Sequence, residues 1–494
     1  MAEIGRDRQG DIVSDSLLVI DIGTSGLRAA IVRPDATVEH VQHRQLLPDS
    51  PAPGLVEFDA SVMAAAALDC AQAALAAGGP VGAVGITNQR ASTIVWDRAT
   101  GEPVAPALGW QDLRTIGDCL VLQAEGLRYA PNASATKIKH LLDDADPDRT
   151  RDLCWGTVDT WIAWTLSQGA LHITDLSNAA VTGLYSGDGS GWHQHALDVL
   201  RVPEASLPTV VDSVGVVGEA TALPGAPPIA GIAGDQQASL MGQGCVRRGQ
   251  AKITFGTGGM LDVVLGSERP LHETRGGAGT FPIVAWRRDG AITWGIEAIM
   301  LSAGTNVEWL RDDLGVLASA DESHTVAASV DSTEGVTYVP ALLGLGTPRW
   351  DYGARGTMLG ITRGTTRAHI VRAVLEGIAQ RGADLVDAAE ADGGITLEAL
   401  RVDGGMSANP TFVQALADAT QRPVEISPQL EATTLGAGFL AGLAIGTWKS
   451  DDDIAATWHP KAVVEPGAPL DRAAWAAAVE RAAAWIPELS AIDF

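Results

Sequence analysis

The segments LLVIDIGTSGLRAAIV, residues 17–32, and AKITFGTGGMLDVVL, residues 251–265, share one pattern. In each, an apolar run reaches a G-T-x-G turn, at residues 23–26 and 256–259, and a second apolar run follows. Apolar runs on both sides of a glycine turn predict a β-hairpin. We therefore predict an internal duplication with a boundary near residues 244–250, although so short a turn could also recur by chance.

The rest of each half reads as alternating helices and strands. Helical spacing is seen in residues 61–77 and 366–389, Ala-rich helices are predicted at 435–445 and 473–484, and strands at 81–86, 229–232 and 400–403. The 494 residues allow two or three domains. We predict an α/β fold with two domains, residues 17–246 and 247–494, around a cleft. Residues 1–16 are polar and charged, and we predict a disordered N-terminal extension there.

Composition and charge exclude several classes of protein. The chain is 46% hydrophobic and 19% charged, which suits a globular core. With 34 Lys and Arg against 60 Asp and Glu, the net charge is −26. Such a chain repels phosphate backbones and anionic bilayers, so we expect neither nucleic acid nor a membrane as partner.

Cysteine and histidine usage points to a reduced, zinc-free protein. The four cysteines lie far apart without a C-x-x-C pair, and residues 1–16 lack the apolar core of a signal peptide. We therefore expect a cytoplasmic location. The ten histidines show no paired-ligand spacing, so no zinc site is expected.

The glycine turns could bind phosphate, because glycine leaves backbone N–H groups unobstructed. No G-x-x-x-x-G-K-[ST] motif occurs, and the turn at Gly23 leads into a strand instead of the helix of a dinucleotide-binding unit. Two ordinary hairpin turns remain the alternative. Asp21 favours a functional turn, since a carboxylate at the end of an apolar strand is costly unless it is hydrogen-bonded or serves a cation.

Other polar residues follow apolar strands or lie on polar loops. Asp235 comes after the strand at 229–232, where it could cap a helix or act as a general base for an attacking hydroxyl. The turn at residues 404–409 is either a plain loop or a contact for a purine base. Arg90 and Trp110 are candidates for the cleft, although a single loop arginine is more often a surface group.

These strings together resemble the FGGY carbohydrate kinases. The likeness rests on IDIGTS (20–25), GITNQR (85–90), GTVDTW (156–161), GIAGDQQ (231–237), GLG (344–346) and VDGG (402–405), and it extends from residue 17 to 448. Within that family, NQR (88–90), WQD (110–112) and the segment at 350–356 are most similar to glycerol kinases.

The resemblance implies two actin-like, ribonuclease-H-like domains that close over ATP and a small polyol or sugar, with a homodimer as an additional expectation. It implies that Asp21 holds Mg²⁺ through water and that Asp235 is the catalytic base. It assigns the remaining positions to ATP (Thr24, Ser25, Gly26, Arg28, Thr257, Gly304, Gly405, Asn409) and to the substrate (Arg90, Trp110, Asp235, Gln236, Asn132, Met260).

Three positions depart from the glycerol kinase pattern. Ala91 stands where those enzymes carry Glu, Asn132 where they carry Tyr, and Met260 where they carry an aromatic residue. These changes imply a wider pocket for a four- to six-carbon polyol or a sugar. The segment at 223–228 also lacks the cation that a fructose 1,6-bisphosphate site needs, so no such inhibition is expected.

Two alternatives to an active kinase are an actin-like ATP-binding switch and a degenerate kinase that binds without turnover. The pocket strings at 88–90 and 110–112 argue against the switch, because a switch needs no polyol pocket. The intact pair Asp21 and Asp235 argues against the degenerate kinase.

Overall fold

The computed structural model describes residues 15–429 and 431–493. Residues 1–14 of the predicted disordered extension lie outside the described residues. Of its last two residues, Asp15 accepts a hydrogen bond from Thr447 Oγ1 at 3.1 Å through its backbone carbonyl, and Ser16 accepts one from the Gly82 amide at 2.8 Å.

The strands of the described residues are numbered in chain order. They are β1 Leu17–Ile22, β2 Gly26–Val32, β3 Val38–Gln45, β4 Glu57–Phe58, β5 Ala83–Asn88, β6 Ile94–Asp97, β7 Ala107–Leu108, β8 Leu153–Gly156, β9 Ile173–Asp175, β10 Thr209–Val211, β11 Val214–Glu219, β12 Pro228–Gly234, β13 Ala251–Phe255, β14 Gly259–Gly266, β15 Phe281–Arg288, β16 Ala291–Met300, β17 Thr337–Val339, β18 Thr357–Leu359, β19 Leu400–Asp403, β20 Val424–Ile426 and β21 Ala462–Val464.

The helices are numbered in the same way. They are α1 Ala60–Gly78, α2 Ile116–Leu122, α3 Ser134–Ala145, α4 Val158–Leu166, α5 Leu176–Ala180, α6 Gln194–Leu200, α7 Asp235–Gly242, α8 Thr305–Asp312, α9 Glu322–Ala327, α10 Arg367–Gly393, α11 Pro410–Thr420, α12 Ala432–Ile445, α13 Asp451–Thr457, α14 Arg472–Ala482 and α15 Pro487–Ser490. Short 3₁₀ turns cover Gln123–Glu125, Glu204–Ser206 and Gly405–Ala408.

The same five-strand sheet occurs once in each half of the chain. In the first half the order is β3-β2-β1-β5-β12, and in the second it is β16-β14-β13-β19-β20. In both orders, the first three strands pair antiparallel with one another. The fourth strand then pairs parallel with the third, and the fifth pairs parallel with the fourth. The predicted duplication is therefore confirmed, because chance recurrence of a turn would not reproduce a sheet topology.

Both predicted glycine hairpins are present. β1 pairs with β2 from Leu17↔Val32 to Ile22↔Leu27, and β13 pairs with β14 from Ala251↔Val263 to Phe255↔Gly259. Each strand pair is fully or nearly fully buried because helices cover both faces. The sheets join through β11 and β15 into a single thirteen-stranded sheet.

One helix covers a face of each sheet. α1 begins at the cap Asp59, whose carboxylate accepts from the amides of Ser61 and Val62, and its Ala-rich face packs on β2 and β3. α1 is long and apolar enough to cross a bilayer, but half of that stretch is buried inside the protein. α10 takes the equivalent place against β16 and α11 in the second half.

Helices α7 and α12 cross between the two halves. α12 belongs to the second half of the sequence but packs on β1, β5 and β12 of the first. A Cβ on Gly242 would lie 1.8 Å from the carbonyl oxygen of Ala432, and one on Gly436 would lie 1.8 Å from that of Ala238. The helices therefore touch backbone to backbone, which only glycine permits.

Candidate active site

The first glycine turn places Asp21 beside Arg28, its cross-strand partner on β2. The Asp21 carboxylate is buried, accepts a hydrogen bond from Thr434 Oγ1 of α12 at 2.9 Å, and lies 3.6 Å from Arg28 Nε. Burial raises the pKa of Asp21, while Arg28 and then Thr434 oppose that rise. The cost of burying this carboxylate is thus offset by a cation and a hydroxyl donor from the other half of the sequence.

Arg28 contacts a second carboxylate, that of Glu431 just before α12. The guanidinium therefore lies between Asp21 and Glu431. The positive charge of Arg28 is therefore already shared by two carboxylates before any anionic ligand approaches the turn at residues 23–26.

The loop that carries Trp110 lies against this first turn. Trp110 Nε1 donates to Thr24 Oγ1 at 3.2 Å, and the Trp110 amide donates to Ser92 Oγ at 3.0 Å. The backbone N–H of Gln89 donates to the carbonyl of Ile22 at 2.7 Å. The structure thus brings a residue expected to bind substrate next to one expected to bind phosphate.

Asp235 is the first residue of α7, immediately after β12. β12 runs parallel to β5 with Gly234 opposite Asn88, so Asp235 emerges beside the loop that holds Arg90. Asp235 Oδ1 lies 3.5 Å from Arg90 Nε and accepts from the Gln236 amide at 2.8 Å. Gly234 is the N-cap residue of α7, and the Asp235 carboxylate satisfies the Gln236 amide of the first turn while it also faces Arg90, so the capping alternative stays open beside the base.

The environment of Asp235 suits a proton acceptor. Burial raises the pKa of this carboxyl, and Arg90 is the largest opposing influence. About 31% of the side chain remains exposed, so a hydroxyl group could reach it. A base works best with a pKa nearer the ambient pH than that of an ordinary aspartate.

Three buried charged residues lie behind Arg90 and Gln236, and sequence reasoning missed them. Glu297 Oε2 lies 2.6 Å from Arg90 Nη2, while Lys252 Nζ lies 2.6 Å from Gln236 Oε1 and 2.8 Å from Asp262 Oδ2. Burial, with a further contribution from Asp262, raises the pKa of Glu297 to about 7 against the effect of Arg90. The signal in the sequence was a charged residue inside each of three apolar strands, β13, β14 and β16.

The second glycine turn brings Thr257 and Gly304 together. The amides of Ala303 and Gly304 donate to the carbonyls of Thr257 and Gly256 at 2.8 and 2.9 Å. A Cβ on Gly304 would lie 2.6 Å from the Gly256 oxygen, so this approach requires glycine. Met260 follows the turn on β14, two residues before Asp262 and therefore on the same face of the sheet.

The loop after β19 holds the two residues expected at the adenosine. Gly404 has a φ of 82°, and a Cβ on it would lie 2.4 Å from the carbonyl oxygen of Phe255. This places Gly405 beside the second glycine turn. Asn409 caps α11, accepting from the Phe412 amide at 3.1 Å and donating to Ser323 Oγ at 2.9 Å.

The loop of one departing position, Asn132, is held by a buried lysine. Asn132 is exposed on the loop before α3, and Ala91 is buried with a φ of 63°. Lys137 Nζ donates to the carbonyls of Pro131 at 2.5 Å and Ala133 at 3.1 Å, with that of Trp110 at 3.5 Å. Burial lowers the pKa of Lys137 to about 8. Lys137 therefore ties the Asn132 loop to the Trp110 loop.

A cavity of about 250 Å³ opens beside the first turn. Gly23, Thr24 and Gln89 line it together with apolar side chains such as Phe58 and Met63. Its lining residues do not include Asp235 or Arg90, so it is separate from the carboxylate that could accept a proton.

The donor set suits magnesium held mainly by phosphates. Within residues 15–429 and 431–493, no cluster of three or more His, Cys, Asp and Glu could hold a metal ion. Mg²⁺ bound with a nucleotide needs only one or two carboxylates in addition to phosphates and water. Asp21 would suit such a role, and Asp235 is near enough to raise its pKa further.

The two halves repeat one sheet topology, each with a glycine turn after its first strand, and Asp235 and Arg90 meet just beyond the ends of β12 and β5. Residues 16–242 match the N-terminal domain of the FGGY family of carbohydrate kinases, and residues 251–445 match its C-terminal domain. The chain belongs to this family, as its sequence motifs predicted. It is an ATP-dependent phosphotransferase with an alcohol group as acceptor.

Comparisons with individual proteins agree. The chain is 42% identical to a glycerol kinase of Aromatoleum aromaticum over 95% of this chain and 99% of that protein, and 42% identical to one of Deinococcus radiodurans over 95% and 98%. The crystal structure of Plasmodium falciparum glycerol kinase with ADP superposes with a TM-score of 0.89 at 27% identity, covering 97% of this chain and 99% of that one. The predicted α/β fold with two actin-like, ribonuclease-H-like domains is confirmed.

Proposed function

We propose that the protein transfers the γ-phosphate of Mg-ATP to a hydroxyl of a small polyol, with Asp235 as the base. The observation that supports this most directly is the position of Asp235. Its partly exposed carboxylate lies 3.5 Å from Arg90, near Asp21 on the first glycine turn, and its neighbour Gln236 is bound to Lys252 of the strand that leads to the second turn.

The mechanism follows from the chemistry of phosphoryl transfer. The transition state is loose, so catalysis consists mainly of positioning the reactants and neutralising charge. Backbone N–H groups of the turns at 23–26 and 256–259, together with Arg28, would supply that neutralisation. Mg²⁺, held by Asp21 through water, would offset further charge on the phosphates. Asp235 would accept the proton of the attacking hydroxyl.

We further propose that the acceptor is longer than glycerol, a four- to six-carbon polyol or a sugar. Ala91 supplies no carboxylate, Asn132 is exposed, and Met260 is a flexible side chain. A substrate hydroxyl that loses its acceptor costs about 1–3 kcal/mol. The relatives reported above are glycerol kinases, so glycerol belongs among the acceptors to be compared.

The experiment is a measurement of ADP release with a panel of three- to six-carbon polyols and sugars, with a matched reaction without acceptor. We expect release that depends on the acceptor and is fastest, by kcat/KM, with a compound longer than glycerol. Glycerol as the best acceptor would refute the wider pocket. ADP release that no acceptor stimulates would instead favour the ATP-binding switch, and no release at all the degenerate kinase.

Several finer proposals accompany this function. We place the boundary between the two domains after residue 246, between the matched family segments that end at 242 and begin at 251. A cytoplasmic location is supported by the four cysteines, all free and buried. The adenosine contacts of Gly405 and Asn409, and the homodimer, stay predictions.

A further inference from the structure

Two side chains expected to contact the polyol, Arg90 and Gln236, are each held by a buried charged residue from the other matched family segment. Arg90 and Gln236 both lie in the first matched segment, which ends at residue 242. Arg90 forms an ion pair with Glu297, and Gln236 accepts a hydrogen bond from Lys252; both partners lie in the second matched segment. Glu297 and Lys252 lie in strands β16 and β13, which belong to the segment 251–445. The polyol pocket would therefore be completed from both halves of the chain.

The register of the second sheet brings these charges into one row. Asp262 on β14 lies opposite both Lys252 on β13 and Glu297 on β16. Cross-strand partners project from the same face of a sheet. The side chains of Lys252 and Asp262 are fully buried, and that of Glu297 is 7% exposed. A row of buried charges is costly, so each member needs a partner.

The partners in this row are matched one to one. Lys252 Nζ forms an ion pair with Asp262 at 2.8 Å and donates hydrogen bonds to Gln236 Oε1 at 2.6 Å and Thr254 Oγ1 at 3.1 Å. Glu297 has Arg90 at 2.6 Å. Because the acceptor of Gln236 and one edge of Arg90 are occupied in this way, both side chains have a defined direction.

Arg90 is shared between two carboxylates. Its Nη2 faces Glu297 at 2.6 Å, and its Nε faces Asp235 at 3.5 Å. Glu297 therefore draws the guanidinium away from Asp235. Without the charge of Glu297, Asp235 would be its closest remaining anion, and a closer Arg90 would make Asp235 a weaker base.

We infer that Glu297, and the Lys252–Asp262 pair beside it, are positioning residues for the phosphoryl acceptor: they orient Arg90 and Gln236 without touching substrate. This inference rests on the proposed function, since it assigns Arg90, Gln236 and Asp235 to the polyol. It goes beyond that function because it makes the acceptor site depend on three residues of the second matched family segment, 251–445.

The main test is Glu297→Gln, which keeps the shape of the side chain and removes its charge. We expect the KM for the best polyol to rise about 10- to 100-fold, the usual effect of losing an outer partner that orients a ligand-binding group. The KM for ATP should stay within about twofold. Glu297→Asp should restore part of the loss, since it keeps the charge.

The pH profile separates positioning from a merely structural role. The charged groups around Glu297 are Arg90 from the loop after β5, Lys252 and Asp262 from β13 and β14, and Asp235 of α7 beyond Arg90. The polyol KM of Glu297→Gln should exceed that of the wild type most at about pH 8, where Glu297 is charged, and least at about pH 5, where burial keeps Glu297 protonated and Gln resembles it. A loss of packing would raise the KM by the same factor at both pH values.

The role of the Lys252–Asp262 pair in orienting Gln236 is tested by the double variant Lys252→Met/Asp262→Leu. Replacing both members of a buried ion pair by apolar residues often leaves stability unchanged, so the fold should survive. Gln236 loses its partner, and the polyol KM should rise about tenfold. Should Glu297→Gln fail to fold, this variant and Glu297→Asp decide the question.

The matched control is Glu390→Gln. Glu390 of α10 pairs with Arg422 at 2.5 Å and accepts from the Leu397 amide, all within the second half of the chain, and its loss should leave both KM values unchanged. A folded Glu297→Gln enzyme with wild-type polyol KM and pH profile would overturn the inference, as would equal changes in the two KM values. A wild-type protein that no acceptor stimulates would overturn the proposed function, and this inference with it.

Discussion

Replacing Asp235 by Asn removes the proposed base and little else. The Asn side chain keeps the size of Asp, and its Oδ1 can still accept from the Gln236 amide, now at 2.8 Å. Arg90 keeps Glu297 at 2.6 Å, so the guanidinium stays in place. Thr24, expected at the phosphates, accepts a hydrogen bond from Trp110, and the Thr257 carbonyl accepts one from Thr305, so the substitution leaves both of these contacts in place.

The size of the effect follows from these contacts. A general base contributes about 100- to 10,000-fold to the rate. The ion pair that is lost, Asp235 with Arg90 at 3.5 Å, involves a side chain that is 31% exposed, so it is worth at most about 1 kcal/mol, or about fivefold in binding. The loss should therefore appear in kcat, at least about 100-fold, with the polyol KM changed by about fivefold or less.

In contrast to kcat, the stability of the folded protein should not fall in Asp235→Asn. The pKa of Asp235 is raised in the folded protein, so this carboxyl costs stability as the pH rises above its unfolded value of 3.8. Asn has no charge to bury. The Tm of Asp235→Asn at neutral pH should therefore equal or exceed that of the wild type.

The assay is steady-state ADP release with the best polyol, together with ATP binding by calorimetry and thermal unfolding. A variant that keeps more than about a tenth of wild-type kcat, while folded and binding ATP normally, would refute the assignment of Asp235 as the base. A variant that binds ATP much more weakly would show that the residue acts on the nucleotide instead.

Three other changes test the metal site, the crossing helices and the buried acids. Asp21→Asn should raise the Mg²⁺ concentration for half-maximal ADP release at least about tenfold, and chelation should stop the wild-type reaction; an unchanged midpoint would count against Asp21 as the magnesium residue. Gly436→Ala should lower the free energy of unfolding by about 1–3 kcal/mol or more in a urea titration, because the new Cβ would lie 1.8 Å from a backbone oxygen. Gly117→Ala is its control, since a Cβ there would meet nothing within 4 Å beyond its chain neighbours and the backbone of its own helix, and equal behaviour of the two would contradict the close contact. Burial first, then Asp175, raises the pKa of Asp159 to about 7, so the folded state holds a proton that the unfolded state has released, and about 2–3 kcal/mol of stability should be lost from pH 5 to pH 8. Asp159→Asn should flatten that part of the pH dependence, and an equally steep curve would disprove it.

Local patterns in the sequence were sufficient for the glycine hairpins and for the family. The runs at 17–32 and 251–265 contain every residue that is paired within their hairpins, so that pairing needs no distant partner. The position of Asp235 at the end of a buried strand could also be predicted, because a strand followed by a polar turn is a local signal.

The surroundings of Asp235 could not be predicted locally. Gly234 lies opposite Asn88, which brings Arg90 beside the carboxylate from a point 145 residues away in sequence. Likewise, nothing near residue 432 indicates that α12 packs on the first sheet. That contact depends on two helices whose glycines permit backbone contact.

The amino-acid sequence by itself determined the two hairpins, their duplication and the membership of the FGGY family. These features depend on residues that are neighbours in the chain and on turns that only glycine forms easily. Only the tertiary structure decided that Glu297, Lys252 and Asp262 stand behind Arg90 and Gln236. A charge within an apolar strand is compatible with either face of the sheet. Which face is buried, and beside which opposite charge, is decided when strand register and the packing of the two halves bring distant residues together.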